Sequence, residues 1–201
     1  MWRLSIFSGE GNPGSSDLAT LDYITRTFED PLRALAPFAD GEIGAGLWSL
    51  GSGGEGLHTV SDPKLPWDLR RRCIQTFVTL FRDLFQTRCT STLSHLERPG
   101  ADVPPSSQLN SACYMWWDFD CWVASRTPLA ANPLDEAFLD SMQSILAIPH
   151  LACQESALHG LGHWHWAHPE AVEAAVDRYL AGSSPEPLRR YALAARCGCV
   201  Q

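Results

Sequence analysis

No run of about 18 apolar residues occurs in this 201-residue chain, so the sequence predicts no membrane-spanning helix. Its opening residues, Met-Trp-Arg-Leu-Ser-Ile-Phe-Ser-Gly-Glu, hold neither a long apolar region nor a small-residue cleavage site, which argues against a secretory signal. Positive charge is also scarce. Lysines and arginines number 15 against 23 aspartates and glutamates, a formal net charge of −8, and the basic run Arg70-Arg71-Arg72 has Asp68 and Asp83 close by. Binding to nucleic acid depends on cations that displace counterions from the phosphate backbone, so this balance predicts no nucleic-acid partner. The 7 cysteines form no C-x-x-C pair and no secreted disulfide framework. Cys197 and Cys199 are too close together for the usual zinc knuckle, and buried free thiols in a reducing compartment are the expectation. A soluble, cytoplasmic protein without membrane contact follows from these absences.

Several catalytic signatures are missing as well. There is no G-x-S-x-G elbow, and His159 and His163 lack the glutamate of a metalloprotease H-E-x-x-H, because Gly160, Leu161 and Gly162 stand between them. Gly51, Gly53 and Gly56 do satisfy G-x-G-x-x-G. However, Pro63 and Pro66 follow almost at once where a phosphate-binding helix should open, and no βαβ pattern surrounds the glycines. Cys73 follows three arginines, a setting that can lower a thiol pKa, yet it belongs to an apolar helical stripe.

What is present is the material of a core. Hydrophobic residues make up 45% and charged residues 19% of the chain, a balance that predicts a single folded domain over residues 1–201. Residues 1–62 read as one helix, opening at Asp17 and stopped by Pro31, plus a glycine-rich part. Seven of the 15 glycines fall between residues 41 and 56, and their conformational entropy predicts an irregular loop there. From residue 63 the periodicity becomes helical. One helix opens at Pro66 and reaches Cys89 or Leu93, a second runs from Ser107 to Pro128, and a third opens at Asn132 and Pro133 and reaches Ala147. Three more cover residues 150–166, the stretch from Pro169 to Gly182, and Leu188 to Cys197. Short loops between such helices predict an all-α fold of stacked antiparallel pairs.

The run Glu186-Pro187-Leu188-Arg189-Arg190-Tyr191-Ala192-Leu193-Ala194-Ala195 resembles the start of a HEAT-type repeat, and Ser156-Ala157-Leu158-His159-Gly160-Leu161-Gly162 resembles the small-residue-rich helix of such a unit. The resemblance covers residues 133–201. It implies a HEAT-like α-α superhelix and, by analogy, a scaffold that binds another macromolecule along a concave face.

Two clusters carry the candidate chemistry. Glu155, His159 and His163 stand four apart on one helix, with His165 and His168 beyond them. Neighbours at that spacing can share an ion, but Glu155 and His163 are two steps apart, about 12 Å along the axis, and cannot both join His159 on one metal. A zinc site at His159 and His163 would need a further donor from another helix, with Asp118, Asp120 and Cys113 as the choices. The competing reading has these imidazoles packed and hydrogen-bonded between helices, with His165 in the core. The second cluster, Tyr114-Met115-Trp116-Trp117-Asp118-Phe119-Asp120-Cys121-Trp122, reads as a bulky helix with one edge along a groove. Asp118 and Asp120 face nearly opposite ways on a helix, which makes a poor acid and base pair.

The function these features suggest is a non-catalytic protein-binding or adaptor module, of a kind with bacterial immunity proteins, that needs no cofactor. Its groove would be lined by Trp116, Trp117, Asp120, Glu155 and Trp164, and its acidic surface would steer a basic protein partner. The alternative is a metal-dependent enzyme with zinc at His159 and His163.

Overall fold

Several helices in this chain begin where the sequence supplies a cap or a proline. In the computed structural model, which describes residues 13–52, 56–96, 107–119 and 132–200, α1 (Pro13–Glu29) stops short of Pro31. Asp30 then caps the single turn α2 (Pro31–Ala34), accepting from the Arg33 N–H. Next come α3 (Asp40–Ser52) and a 3-10 turn, Leu57–Val60. α4 (Trp67–Thr79) passes through a π-helical stretch, Leu80–Phe85, into α5 (Gln86–Arg88). After a 3-10 turn at Ser94–Leu96, Ser107 caps α6 (Gln108–Tyr114) by accepting from the Asn110 N–H, and a 3-10 turn, Met115–Asp118, follows directly. Asn132 and Pro133 open α7 (Pro133–Leu146) as expected, with the Asn132 side chain accepting from the Leu134 N–H at 3.1 Å. α8 (Leu151–Trp164), α9 (Pro169–Leu180) and α10 (Glu186–Arg196) complete the order. Among the described residues there is no strand, and no helix is long and apolar enough to cross a membrane.

The all-α class is as the periodicity predicts: the helices pack against one another, α1 on α4, α3 on α6, α4 on α7, and α8 on α6, α7, α9 and α10. Within the core, Trp116 meets Phe28, Phe77, Phe81 and Phe85 edge-on, and Phe77 stacks on Phe138. The π-helical stretch serves this cluster by burying Leu80, Phe81, Leu84 and Phe85 together.

Two expectations are corrected. The glycine-rich loop is, through Ser52, the regular helix α3. Each glycine costs about 1 kcal/mol relative to alanine in a helix, but here the missing side chains permit contact. A Cβ on Gly44 would lie 2.6 Å from the carbonyl of Gln108, and one on Gly51 would enter the Phe119 ring. Close approach to α6, together with buried Ile43, Leu47 and Leu50, offsets the entropy. Gly51 thus closes a helix instead of opening one, which also removes the dinucleotide fingerprint's context; Gly53 lies outside the described residues. The second correction concerns the tryptophan-rich helix. It ends at Tyr114 and tightens into the 3-10 turn, so the expected continuous helix to Pro128 is absent through Phe119, and the remainder lies outside the described residues.

Candidate functional site

α8 is the most enclosed helix, with every residue from Glu155 to Gly162 buried. Its glycines are where neighbours come closest. A Cβ on Gly160 would lie 2.5 Å from Trp117 Cγ, so the indole rests directly on the helix backbone. That contact carries the next residue, Asp118, to the edge of α8, beside His159 and His163 one helical turn apart.

Three donor atoms meet there. His159 Nε2 is 3.1 Å from Asp118 Oδ1, 3.0 Å from Asp118 Oδ2 and 3.1 Å from His163 Nε2, while His163 Nε2 is 3.2 Å from Asp118 Oδ1. His159 is 1% exposed, Asp118 25% and His163 42%, so the triangle has a buried root and an open side. Among the described residues this is the only trio of histidine, cysteine or carboxylate groups close enough to hold one ion. Donors about 2.0–2.1 Å from a tetrahedral zinc stand about 3.3 Å apart, close to the spacing found here.

Behind the triangle a chain of polar groups fixes the His159 ring. Its Nδ1 is 2.7 Å from the Tyr191 hydroxyl of α10, which in turn is 3.0 Å from the Tyr114 hydroxyl. Burial raises the Tyr114 pKa to about 12 and holds the Tyr191 phenol still further above its usual value, so both keep their protons. With Tyr191 donating to Tyr114, its oxygen accepts from His159 Nδ1–H. In that tautomer the His159 Nε2 faces the triangle. Burial, and after it the neighbouring His159, lowers the His163 pKa, against an opposing pull from Asp118. Two imidazole nitrogens and a carboxylate converge, an arrangement that a shared proton or a cation among them would stabilise.

Glu155 is elsewhere. Fully buried one turn before His159, it accepts from the Ser94 and His95 N–H groups at 2.9 Å each and meets His95 Nδ1 at 2.5 Å. It pins the turn Ser94–Leu96, so that the His95 ring stacks on Tyr191 with centroids 4.1 Å apart. As the helical spacing required, Glu155 does not join His163.

The expected indole groove does not form from its named residues. Trp116 is 0% exposed, Trp117 3% and Trp164 3%; the first two sit in the aromatic core, and Trp164 lies between Phe138 and His168. Asp120 lies outside the described residues. An open groove of about 470 Å³ is found instead beside α1 and α4, lined by Leu18, Asp22, Arg26, Leu69 and Arg72. His165, expected in the core, is partly exposed and faces Glu173. The thiols divide: Cys73, Cys89, Cys113 and Cys153 are buried as expected, and burial raises Cys73 to about 12, which removes it as a nucleophile. Cys197 and Cys199, expected to be buried, are exposed.

Sequence reading reached Asp118 as a donor type but missed Tyr191, Tyr114 and His95. The Tyr191 signal was available, since a tyrosine on the apolar face of α10 must find a partner for its hydroxyl. His95 sits in a short turn with no periodicity to place it. Compared with known protein families, curated proteins and solved structures, the chain has no match.

Proposed function

We propose that this chain is a metal-dependent protein that binds one divalent transition-metal ion, zinc in the first instance, through Asp118, His159 and His163. One observation carries the reading: three donors spaced 3.0–3.2 Å apart converge, with the buried imidazole oriented from behind by Tyr191. Three protein ligands leave a position on the exposed side for water or substrate. That arrangement distinguishes catalytic zinc sites from closed structural ones. An ion there would act as a Lewis acid and lower the pKa of its bound water, and the proposed activity is hydrolytic chemistry by that water. Tyr191 would position His159 without touching the ion.

The protein-binding reading lacks its anchors once Trp116, Trp117 and Trp164 are buried, and only the net charge of −8 speaks for a basic partner. Zinc titration of chelator-treated protein, followed by calorimetry, separates the possibilities. The metal reading predicts a stoichiometric step that His159→Ala, His163→Ala and Asp118→Asn abolish, and that Tyr191→Phe weakens by about 10- to 100-fold. A folded wild-type protein that takes up no zinc would leave the triangle as an imidazolium and carboxylate pair held by a proton, and would overturn the proposal.

A further inference from the structure

A second group of reactive side chains closes the end of α10, and it does not depend on the metal reading. Gly198 N–H bonds to the Ala195 carbonyl at 3.0 Å and Cys199 N–H to the Ala194 carbonyl at 2.8 Å. This paired cap requires a left-handed residue between Cys197 and Cys199, and Gly198 has φ 68°. A Cβ on Gly198 would also come within 3.1 Å of the His165 ring, so the position is held on two counts. The cap therefore fixes the backbone on both sides of the glycine and displays two thiols, one on either side of it, from one turn.

Both thiols are exposed, whereas the four other described cysteines are buried. Each donates only to a main-chain carbonyl of the same turn: Cys197 Sγ to Ala194 O at 3.2 Å and Cys199 Sγ to Cys197 O at 3.5 Å. Neither contact would have to break at a cost to the core. The proximity of Cys197 is the largest of the causes that raise the Cys199 pKa. That direction suits Cys199 to the resolving step, and the first attack is assigned to Cys197.

We propose that Cys197 and Cys199 form a dithiol site that exchanges with small-molecule disulfides of the glutathione-disulfide class and closes to an intramolecular Cys197–Cys199 disulfide. In the first step the Cys197 thiolate attacks one sulfur of the disulfide. A new S–S bond forms, the old one breaks, and one thiol leaves with the electron pair and the proton that Cys197 gave up. In the second, Cys199 loses its proton and attacks the Cys197 sulfur of the mixed disulfide, releasing the second thiol. The protein loses two hydrogens and two electrons, and the small disulfide is reduced to two thiols.

The test incubates the full chain with oxidised glutathione and follows it by peptide mass analysis after alkylation. The expected result is a peptide containing Cys197 and Cys199 that has lost two hydrogens, resists alkylation and recovers both thiols on reduction. Cys199→Ser should trap one glutathione on Cys197, because the resolving thiol is gone. Cys199 is exposed, so the serine variant does not threaten the fold, and circular dichroism checks that directly. The proposal is overturned if the wild-type peptide stays fully alkylatable, if it accumulates two glutathiones without closing, or if Cys199→Ser forms no adduct.

Discussion

His159 faces a phenol with one nitrogen and a carboxylate with the other, and its Nε2 stands 3.1 Å from His163 Nε2. The His163 pKa lies below the ordinary 6.5 because burial and His159 disfavour its charged form. As pH falls, the unfolded chain therefore takes up the His163 proton before the folded one. Stability from this group is complete above 6.5 and is lost as pH drops from there through the folded pKa. In chelator-treated protein, urea midpoints should fall between about pH 7 and pH 5, and His163→Gln should flatten part of that slope. An equal slope in wild type and variant would show that His163 is not held neutral by its surroundings. At this scale the sequence was legible in donor types: His159, His163 and Asp118 could be named, because imidazole and carboxylate spacing has chemical meaning without coordinates. Depth was not legible. Trp116 and Trp117 have the composition of a binding hot spot and the burial of a core, and nothing local to them distinguishes the two.

Among the elements, α7 shows local chemistry deciding structure, while α3 shows tertiary contact overriding it. Asn132 and Pro133 set the start of α7 at the residue the cap rules require. In α3, four glycines within Asp40–Ser52 argue locally for a loop, and only the facing backbone of α6 explains the helix. The difference can be measured at Gly44. In an isolated helix Gly44→Ala would add about 1 kcal/mol of stability. Here its Cβ would stand 2.6 Å from the Gln108 carbonyl and 2.8 Å from the Leu109 nitrogen, main-chain atoms that cannot rotate aside. The expected outcome is a net loss of roughly 1–3 kcal/mol in urea unfolding. A gain in stability would mean that α3 and α6 are not in close contact. The 3-10 turn after α6 is a further case where pattern fails: helical periodicity continues through Trp116 and Trp117, but the approach of Trp117 to Gly160 tightens the chain and turns Asp118 toward α8.

Across the whole molecule, α8 links the fold to the proposed chemistry. It packs on α6, α7, α9 and α10, and the groups that reach its His159 face come from the turn after α6 and from α10. The HEAT-like relation over residues 133–201 remains a proposal, compatible with the packing of α7 on α8 and of α9 on α10. Because the exposed thiols are Cys197 and Cys199 and the proposed ligands are Asp118, His159 and His163, the identity of the metal's ligands tests the central claim better than uptake alone. X-ray absorption at the zinc edge of the loaded protein makes that distinction. The account predicts a first shell of nitrogen and oxygen only, at about 2.0–2.2 Å, with imidazole scattering that disappears in His159→Ala. A sulfur shell at about 2.3 Å, or a spectrum unchanged by that substitution, would place the metal on the cysteines and contradict it.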